Sequence, residues 1–492
     1  MPKRVLHCNW APYWSRPLVG GGVSVYCKSL MDGLAGGERG WSPSFLCAGY
    51  EQQADPGPPH VRAVANPLHP GVPTFSMVDS PVPAPSVLKF HDPDGDVRRP
   101  PVEACFAAFL REHGPFDVVH FHNLEGLTAD CLRVAKEAGA RVVLSLHNYW
   151  TVCPQVQLWQ YDDHACTDWF EGRGCAGCLR DAVETERFLA ERRAGLPPRY
   201  EAVATPDGGT GPLASPLVVR GADQPSLVPA YRRRRPAIVG LVNECVDAAL
   251  AVSERSAEVL AARGIDRSLL STLYIGTSAA EFRPPPGNPA VPAPGAPFRL
   301  VYLGEARRDK GFFFLLDELR RLGDDELAGL HLTVACRVTE PAELRMAATG
   351  RGRLLSLAES LHTLDYRPGY DHASLPALLA GAHLGVVPPL WEDNLPQVAL
   401  ELIACRVPVL CSARGGAKEF VRHPAFVFDP GVDGDLVARL RALRADPALL
   451  ADFWSAARPP TTVAAHLDEL VAVYDRVAAT DGIPLPGPSS PA

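Results

Sequence analysis

Two segments of the sequence combine residue types that can bind a phosphate group. Glycines 20–22 lie between a predicted strand and a predicted helix, where missing Cβ atoms let backbone N–H groups approach a diphosphate. The segment EARRDKG follows a buried strand and precedes a helix, so Arg307 would offer a fork of donors and Lys310 a point charge. The alternatives are a tight turn without a ligand for the glycines and a solvated charged turn for the basic segment.

A second candidate feature is a pair of carboxylates eight residues apart in the segment DNLPQVALE. Asp393 would lie near the N-terminus of a predicted helix, where negative charge is favoured. Glu401 lies about two turns further along, and we expect it to reach a ligand cleft as an acceptor for hydroxyl groups. The alternative for Glu401 is an exposed helical carboxylate.

Histidines and cysteines raise the question of metal binding. His120 and His122 form an H-x-H motif at a predicted strand end, which puts both on one face and could indicate metal ligation. No acidic or thiol residues accompany them in sequence, and we expect them to line the cleft.

Four cysteines follow His147 and end in a C-x-x-C pair: Cys153, Cys166, Cys175 and Cys178. Three interpretations are open, namely a structural zinc ion, one or two disulfides, and buried free thiols. We expect their loop to lie on the acceptor side of the cleft and to shape acceptor recognition. The basic run 232–235 could contact an anionic membrane surface or a lipid-linked phosphate, but a solvated loop is the interpretation that we favour.

The elements that must position these residues alternate between strand and helix, which is typical of parallel sheets. Strands are predicted near the start of the chain and again after residue 297, at 4–8, 117–121, 141–146, 248–253, 271–275, 298–303, 331–335, 384–387, 407–411 and 425–428. The pattern indicates an α/β protein of two Rossmann-like, doubly wound domains with a ligand cleft between them.

The proline-rich stretch 283–297 is the clearest linker in the sequence. We therefore expect an N-terminal domain over 1–282, with insertions near 50–100 and 150–236, a C-terminal domain over 298–460, a helix within 461–480 and a disordered tail over 481–492.

Composition limits the classes of function. The chain has 492 residues, 47% of them hydrophobic, and a net charge of −8, which argues against a nucleic-acid-binding surface. No apolar run is long enough to span a membrane, and no apolar stretch follows the basic N-terminus as in a signal peptide. With 13 scattered cysteines, we expect a cytoplasmic protein that makes at most peripheral contact with the inner face of a membrane.

Taken in order, these segments resemble those of the retaining glycosyltransferases of family 4, which have the two-domain GT-B architecture. The resemblance runs through GGVSVYCKSL, VVHFHN, LSLHNYW, AVS, YIGTSAAEF, YLGEARRDKG, WEDNLPQVALE and SARGGAKEF. It implies an acceptor-side N-terminal domain, a nucleotide-sugar-binding C-terminal domain, and a C-terminal helix that crosses back to the first domain.

The resemblance implies catalytic roles for His147, Arg307, Lys310 and Asp393. His147 would reach the transferred sugar, although it could instead pack at the strand end, and Asp393 would hold the sugar. Arg307 and Lys310 would neutralise the departing diphosphate without a metal ion. The implied donor-binding residues are Gly21 and Gly22 at the diphosphate, Asn394 and Leu395 at the sugar, Glu401 at the ribose, and Gly415 and Gly416 as backbone donors.

The chain departs from the family pattern at two positions. Family members generally have Glu where this chain has Asp393, and many have Arg where this chain has Glu305. Arg307 would take over the role of that missing arginine.

The implied activity is transfer of a hexose-type sugar from a nucleoside-diphosphate sugar to a hydroxyl acceptor, with retention. The acceptor would be a glycan, a lipid-linked sugar or a small natural product, and no catalytic cofactor or protein nucleophile is implied. Such a reaction needs positive charge at the leaving diphosphate. The alternatives are a nucleotide-sugar epimerase or hydrolase of the same fold and a non-catalytic nucleotide-sugar-binding protein.

Overall fold

The fold consists of two parallel sheets, each covered by helices. The computed structural model of the chain describes residues 2–15, 20–82, 84, 92–160, 164–178, 203–204, 210–211, 225–337, 354 and 357–479. The predicted disordered tail, 481–492, lies outside this range. Residues 283–297 contain no helix or strand, and the domain bounds stay a prediction.

The first sheet has eight strands in the order β12-β11-β6-β5-β1-β2-β4-β3, parallel except for the edge strand β3. The strands are β1 (Lys3–Asn9), β2 (Trp41–Glu51), β3 (His60–Ala63), β4 (Thr74–Val78), β5 (Val118–Phe121), β6 (Arg141–Leu146), β11 (Ala248–Ala251) and β12 (Leu270–Thr272). The short pairs β7 (Trp159–Gln160) with β8 (His164–Ala165) and β9 (Val203–Ala204) with β10 (Thr210–Gly211) lie outside it.

The second sheet has six parallel strands in the order β15-β14-β13-β16-β17-β18. They are β13 (Phe298–Glu305), β14 (Leu330–Arg337), β15 (Thr363–Arg367), β16 (Leu384–Val387), β17 (Val409–Ser412) and β18 (Val427–Phe428). Strands β16 and β17 are buried at every position, as expected where helices cover both faces of a sheet. The α/β class with two doubly wound sheets is therefore confirmed.

Helices connect the strands as the apolar periodicity predicts. The N-terminal half contains α1 (Gly21–Leu34), α2 (Pro93–Val97), α3 (Pro100–His113), α4 (Cys131–Glu137), α5 (Arg173–Cys178), α6 (Val228–Cys245) and α7 (Glu254–Ala261). The remainder contains α8 (Phe312–Leu319), α9 (Asp324–Ala328), α10 (Leu375–Leu378), α11 (Gln397–Ala404), α12 (Lys418–Val421), α13 (Asp435–Ala445), α14 (Pro447–Ala456) and α15 (Val463–Ala479).

The last helix, α15, packs on the first sheet rather than on the second. The Tyr474 hydroxyl lies 2.6 Å from Nδ1 of His120 on β5, and the Lys3 ammonium lies 3.0 Å from the Asp475 carboxylate. Helix α15 also packs against α1. The chain thus returns to its N-terminal half after completing the second sheet.

The structure adds detail to one irregular segment and corrects another. The predicted insertion near 50–100 contains β4, which is buried at every position and pairs in parallel with β2. The arginine run 232–235 is not a solvated loop, because it lies on α6. There the buried Arg234 pairs with Asp96 on α2 at 2.5 Å, while the exposed Arg232 and Arg233 have the surface partners Glu171 and Asp94.

His120 and His122 do not line the cleft, because they are buried in the core beside His7, which faces His120 across strands β1 and β5. The metal-ligating atoms of these three residues all lie within 4.8 Å of one another. They have protein partners: His7 Nδ1 lies 2.9 Å from His122 Nε2, and His120 contacts Tyr474 and Ser145.

We expect this buried histidine cluster to make the fold sensitive to acid. Burial lowers the pKa of His7 to about 3, so it stays neutral in the folded chain, whereas in the unfolded chain it takes up a proton near pH 6.5. The unfolded state therefore binds more protons as the pH falls from 6.5 towards 3. We expect stability to fall by about 1.4 kcal/mol per pH unit for each such histidine.

Thermal unfolding followed between pH 7 and about pH 5 measures this slope. The variant His7→Gln should have a shallower slope than the wild type. The variant His60→Gln, at an exposed position, should keep the wild-type slope. If stability depended on pH with the same slope in all three proteins, His7 would not be a cause of the acid sensitivity.

Candidate active site

The predicted site residues lie at the carboxyl ends of the strands of both sheets, where doubly wound folds bind ligands. His147 follows β6, and α1 begins at Gly21 in the first half. In the second half, Arg307 and Lys310 follow β13, while Asp393 and its neighbours follow β16.

The N-terminus of α1 is open to a ligand. Gly20 and Gly21 have positive φ values, 89° and 56°, which glycine adopts without strain. A Cβ atom added at Gly21 or Gly22 would meet no atom within 4 Å among the described residues, so both sites face open space. This geometry suits the predicted approach to a diphosphate, although residues 16–19 of the same loop lie outside the described range.

Arg307 is held by carboxylates in this structure. Its Nε and Nη2 atoms contact the two oxygens of Asp309 at 2.9 and 3.0 Å, and Nη1 lies 3.4 Å from Glu305. Asp309 is only 1% exposed, so removing Arg307 from it would leave a buried charge without its partner. The fork of donors that the sequence predicts is therefore already engaged, and its role at a diphosphate stays a prediction.

Lys310 links the two predicted clusters of the second half. Its ammonium lies 2.7 Å from Oδ2 of Asp393 and 5.3 Å from the centre of the Trp391 ring. Burial disfavours the charged form, but Asp393, Asp309 and Glu305 outweigh this and raise the pKa of Lys310. Lys310 is thus a permanently charged ammonium at the base of the site.

Next to this ion pair, Asn394 has an unsatisfied side chain. The residue is 5% exposed, and neither Nδ2 nor Oδ1 of its amide has a hydrogen-bond partner within the described ranges. Its backbone oxygen accepts a hydrogen bond of 2.6 Å from Ser253 at the start of α7. Buried amide groups are nearly always paired, so this amide is a candidate for binding a ligand.

Gly415 and Gly416 pack against the backbone of the Asp393 loop. A Cβ atom at either position would collide with backbone atoms of Asp393 or Asn394, so only glycine allows this approach. The Gly415 N–H donates to Glu392 at 3.0 Å and the Gly416 N–H to the Asp393 carbonyl at 2.9 Å. Both N–H groups are therefore used within the protein, which differs from the expectation that they are free donors.

Glu401 is buried rather than exposed, and it already has two partners. The Tyr370 hydroxyl donates to Oε2 at 2.7 Å, and Nε2 of His372 lies 2.9 Å from Oε1. The hydrogen bond with Glu401 raises the pKa of His372, and burial together with Glu401 raises that of Tyr370. No local pattern in the sequence indicates these two neighbours, because they come from a different loop.

His147 lies half-buried at the end of β6, with its ring 4.6 Å from that of Tyr26 on α1. Burial lowers its pKa to about 3, so the imidazole is neutral at physiological pH. Its Nε2 atom has no hydrogen-bond partner among the described residues. A neutral ring can donate or accept one hydrogen bond, which fits a positioning role better than a charge-stabilising one.

Three residues that the sequence does not single out join the two halves of the molecule across the cleft. Gln157 Oε1 lies 3.4 Å from Nη2 of Arg307, the Tyr149 hydroxyl donates to the Glu392 carbonyl at 2.8 Å, and Arg255 binds both oxygens of the Glu392 carboxylate. Burial alone would raise the pKa of Glu392, but Arg255 and the Gly415 N–H lower it. Such contacts depend on tertiary structure and leave no short motif.

The four cysteines that follow His147 line one pocket, and none of them forms a disulfide in this structure. Through Tyr149 and Gln157, the segment that leads to this pocket contacts the second half of the molecule. Its role in acceptor recognition stays a prediction.

Comparisons with known proteins agree with this architecture. The family model described as "Glycosyltransferase Family 4" matches residues 20–174, and the one described as "Glycosyl transferases group 1" matches residues 297–446. No curated protein matches the sequence. No helix within the described ranges is long and apolar enough to cross a bilayer.

Solved structures match nearly the whole chain at low identity, which supports the fold. The Anabaena protein HepE, in complex with UDP and glucose, matches with a TM-score of 0.53, 13% identity and coverage of 96% of this chain and 99% of its own. A UDP-forming α,α-trehalose-phosphate synthase from Burkholderia xenovorans matches with a TM-score of 0.56, 14% identity and coverage of 98% and 100%. Sucrose-phosphate synthase from Thermosynechococcus elongatus matches with a TM-score of 0.53, 16% identity and coverage of 97% and 96%.

Both halves thus match models of one family, and the fold matches GT-B structures over nearly its full length. The predicted segments occur in the expected order on the expected strands. The chain belongs to the glycosyltransferases of family 4, with the GT-B architecture.

Proposed function

We propose that this glycosyltransferase moves a hexose from a nucleoside-diphosphate sugar to a hydroxyl acceptor with retention of the anomeric configuration. The nucleotide would lie along the second sheet, with its ribose near Glu401 and its diphosphate at Lys310 and the N-terminus of α1. The sugar would lie between Asn394 and His147. A glycan, a lipid-linked sugar or a small natural product would enter as the acceptor from the first half.

The observation that carries this proposal is the unpaired amide of Asn394 beside the Lys310–Asp393 ion pair. An amide donor and an amide acceptor, both buried and both unpaired, match the hydroxyl groups of a sugar. The neighbouring ammonium supplies the positive charge that a leaving diphosphate needs. Together they support a sugar position and a phosphate position that are adjacent in space, because Asp393 links Lys310 to the Asn394 loop.

The chemistry requires no group beyond those present. As the bond from the anomeric carbon to the phosphate oxygen breaks, negative charge grows on the diphosphate, and Lys310 stabilises it. The departing phosphate oxygen can take the proton of the acceptor hydroxyl, which attacks from the same face of the sugar. Asp393 holds the Lys310 ammonium in place, and neutral His147 orients the sugar.

Calorimetric titration with UDP, GDP, ADP and dTDP, followed by the matching nucleotide sugars, tests the donor site. We expect one nucleotide to bind in the micromolar range. UDP is the natural first choice, because the HepE structure holds UDP and glucose. Incubation of the matching sugar donor with candidate acceptors then separates transfer from hydrolysis and epimerisation. If no nucleotide binds, the donor-site proposal is wrong.

The variant Asn394→Ala should weaken binding of the nucleotide sugar about tenfold or more while leaving binding of the bare nucleotide near the wild-type value. The reason is that the amide is assigned to the sugar and not to the nucleotide. Titration of both ligands gives the two dissociation constants. The exposed residue Asn243, changed to alanine, is the matched control, and equal losses for both ligands in Asn394→Ala would reject the assignment.

A further inference from the structure

The pocket formed by the four cysteines has the chemistry of a metal site. Cys153 follows the turn after β6, Cys166 follows β8, and Cys175 and Cys178 lie on α5, yet all four line one pocket. None of the four forms a disulfide, two come from a C-x-x-C pair, and the Cys178 thiol donates to Oε1 of Gln155 at 3.3 Å. Four thiolates from such separate points are the usual ligand set of a structural zinc ion.

The loop that carries these thiols has little regular secondary structure. Its regular elements are the two-residue strands β7 and β8, a single helical turn at 170–172 and the six residues of α5. Its first part packs into the core through Val156, Leu158 and Trp159, and a metal ion would tie the later part, with α5, to it.

The backbone of the same loop contains several strained residues, and contacts around them must stabilise that conformation. Seven non-glycine residues of the described chain have positive φ, and four of them lie here: Val156, Leu158, Phe170 and Glu171. For the β-branched Val156, a φ of 64° is a marked outlier. Such backbone conformations are unfavourable, and the surrounding structure must compensate for them. A cross-link through four side chains would provide that compensation.

The charge beside the pocket also suits a metal thiolate centre. Four thiols that bind one Zn²⁺ release four protons to solvent, and the resulting complex carries two negative charges. Arg235 lines the pocket, donates to the Val152 carbonyl at 2.8 Å and stacks on Trp169 at 4.1 Å. Its guanidinium is thereby fixed where it would offset part of the negative charge.

We propose that Cys153, Cys166, Cys175 and Cys178 bind one structural zinc ion. The four cysteines line one pocket, but their sulfurs do not all lie within 4.8 Å of one another, so binding requires the side chains to move towards the ion. The ion would fix the segment that places Gln157 3.4 Å from Arg307, and so would set the shape of the cleft from outside it. This proposal does not depend on the identity of donor or acceptor.

Metal analysis of the full-length protein, purified under reducing conditions, tests the site. We expect about one zinc ion per chain by elemental mass spectrometry. Cobalt(II) added to the metal-free, reduced protein should give the sulfur-to-cobalt charge-transfer bands and the strong visible bands of a tetrahedral thiolate site. Zinc should displace these bands.

The variants Cys175→Ser and Cys178→Ser should lower the zinc content about tenfold or more. Cys105→Ser, at a half-buried cysteine on α3, is the matched control and should retain one ion. A wild-type protein with no zinc and no cobalt spectrum would overturn the proposal, and so would a disulfide among the four residues in non-reducing peptide mapping. If the serine variants fail to fold, the cobalt titration of the wild type still shows whether the four thiols bind a metal ion.

Discussion

Replacing Lys310 with alanine is expected to lower the turnover number about 10²- to 10³-fold, the usual cost of removing one group that stabilises developing negative charge. Its ammonium is the cation paired at 2.7 Å with Asp393, and nearby carboxylates raise its pKa, so it is charged throughout the physiological range. We do not expect Arg307 to compensate fully, because Asp309 and Glu305 already bind its guanidinium. Initial rates at saturating donor measure the effect.

The control for this substitution must separate lost catalysis from a damaged site. Lys310→Ala leaves the buried Asp393 carboxylate without its partner, which by itself can lower stability. The double variant Lys310→Ala with Asp393→Ala removes both charges, and we expect it to recover stability but not activity. Lys28→Ala removes a lysine from an exposed i,i+4 pair and should change neither. Turnover of Lys310→Ala within threefold of the wild type would contradict the proposed role.

The sequence is sufficient to predict the two sheets because most of their strands are recognisable as short apolar runs. The run 384–387 is apolar throughout and 141–146 is mostly apolar, and the structure has strands at both positions. Strand β4 is not predicted, because prolines and glycines flank it. Its five residues are stabilised by pairing with β2 and β3. Non-local pairing of this kind is invisible in a local pattern.

Local sequence patterns likewise predict the position of the site residues but not the contacts that they make with distant parts of the chain. Loops at strand ends are found from spacing, so Lys310 and Asp393 could be named before their ion pair was seen. What spacing cannot give is the partner of each group. For Glu401 the sequence predicts contact with a ligand hydroxyl, which stays a prediction, and the structure adds two protein partners, Tyr370 and His372, from another loop.

The arginine run on α6 shows how charge patterning can mislead. Four consecutive arginines normally indicate a solvated surface. On a helix, however, consecutive residues point about 100° apart, so one member of such a run can face the core while its neighbours face solvent. Arg234 takes that position, at 1% exposure, and its partner Asp96 comes from α2, 138 residues away in sequence.

Replacing Arg234 with alanine should therefore destabilise the fold by up to about 3–5 kcal/mol, because it leaves the Asp96 carboxylate, only 19% exposed, without its partner. Arg234 also donates to the Trp150 carbonyl at 3.0 Å and lies 4.7 Å above the Trp150 ring, so the substitution removes packing as well as charge. The adjacent Arg233 has an exposed partner, and Arg233→Ala should cost less than about 1 kcal/mol. Chemical denaturation of the three proteins gives these differences.

The pH dependence identifies the cause of the loss. Burial raises the pKa of Asp96, and Arg234 opposes that rise, so without Arg234 the pKa of the folded carboxyl rises further above its unfolded value. The folded variant then binds a proton that its unfolded state does not, and protonation relieves the unpaired charge. The stability gap between wild type and Arg234→Ala should narrow as the pH falls from 8 to about 5. A gap that stays constant over that range would mean that lost packing, and not an unpaired buried charge, accounts for the effect.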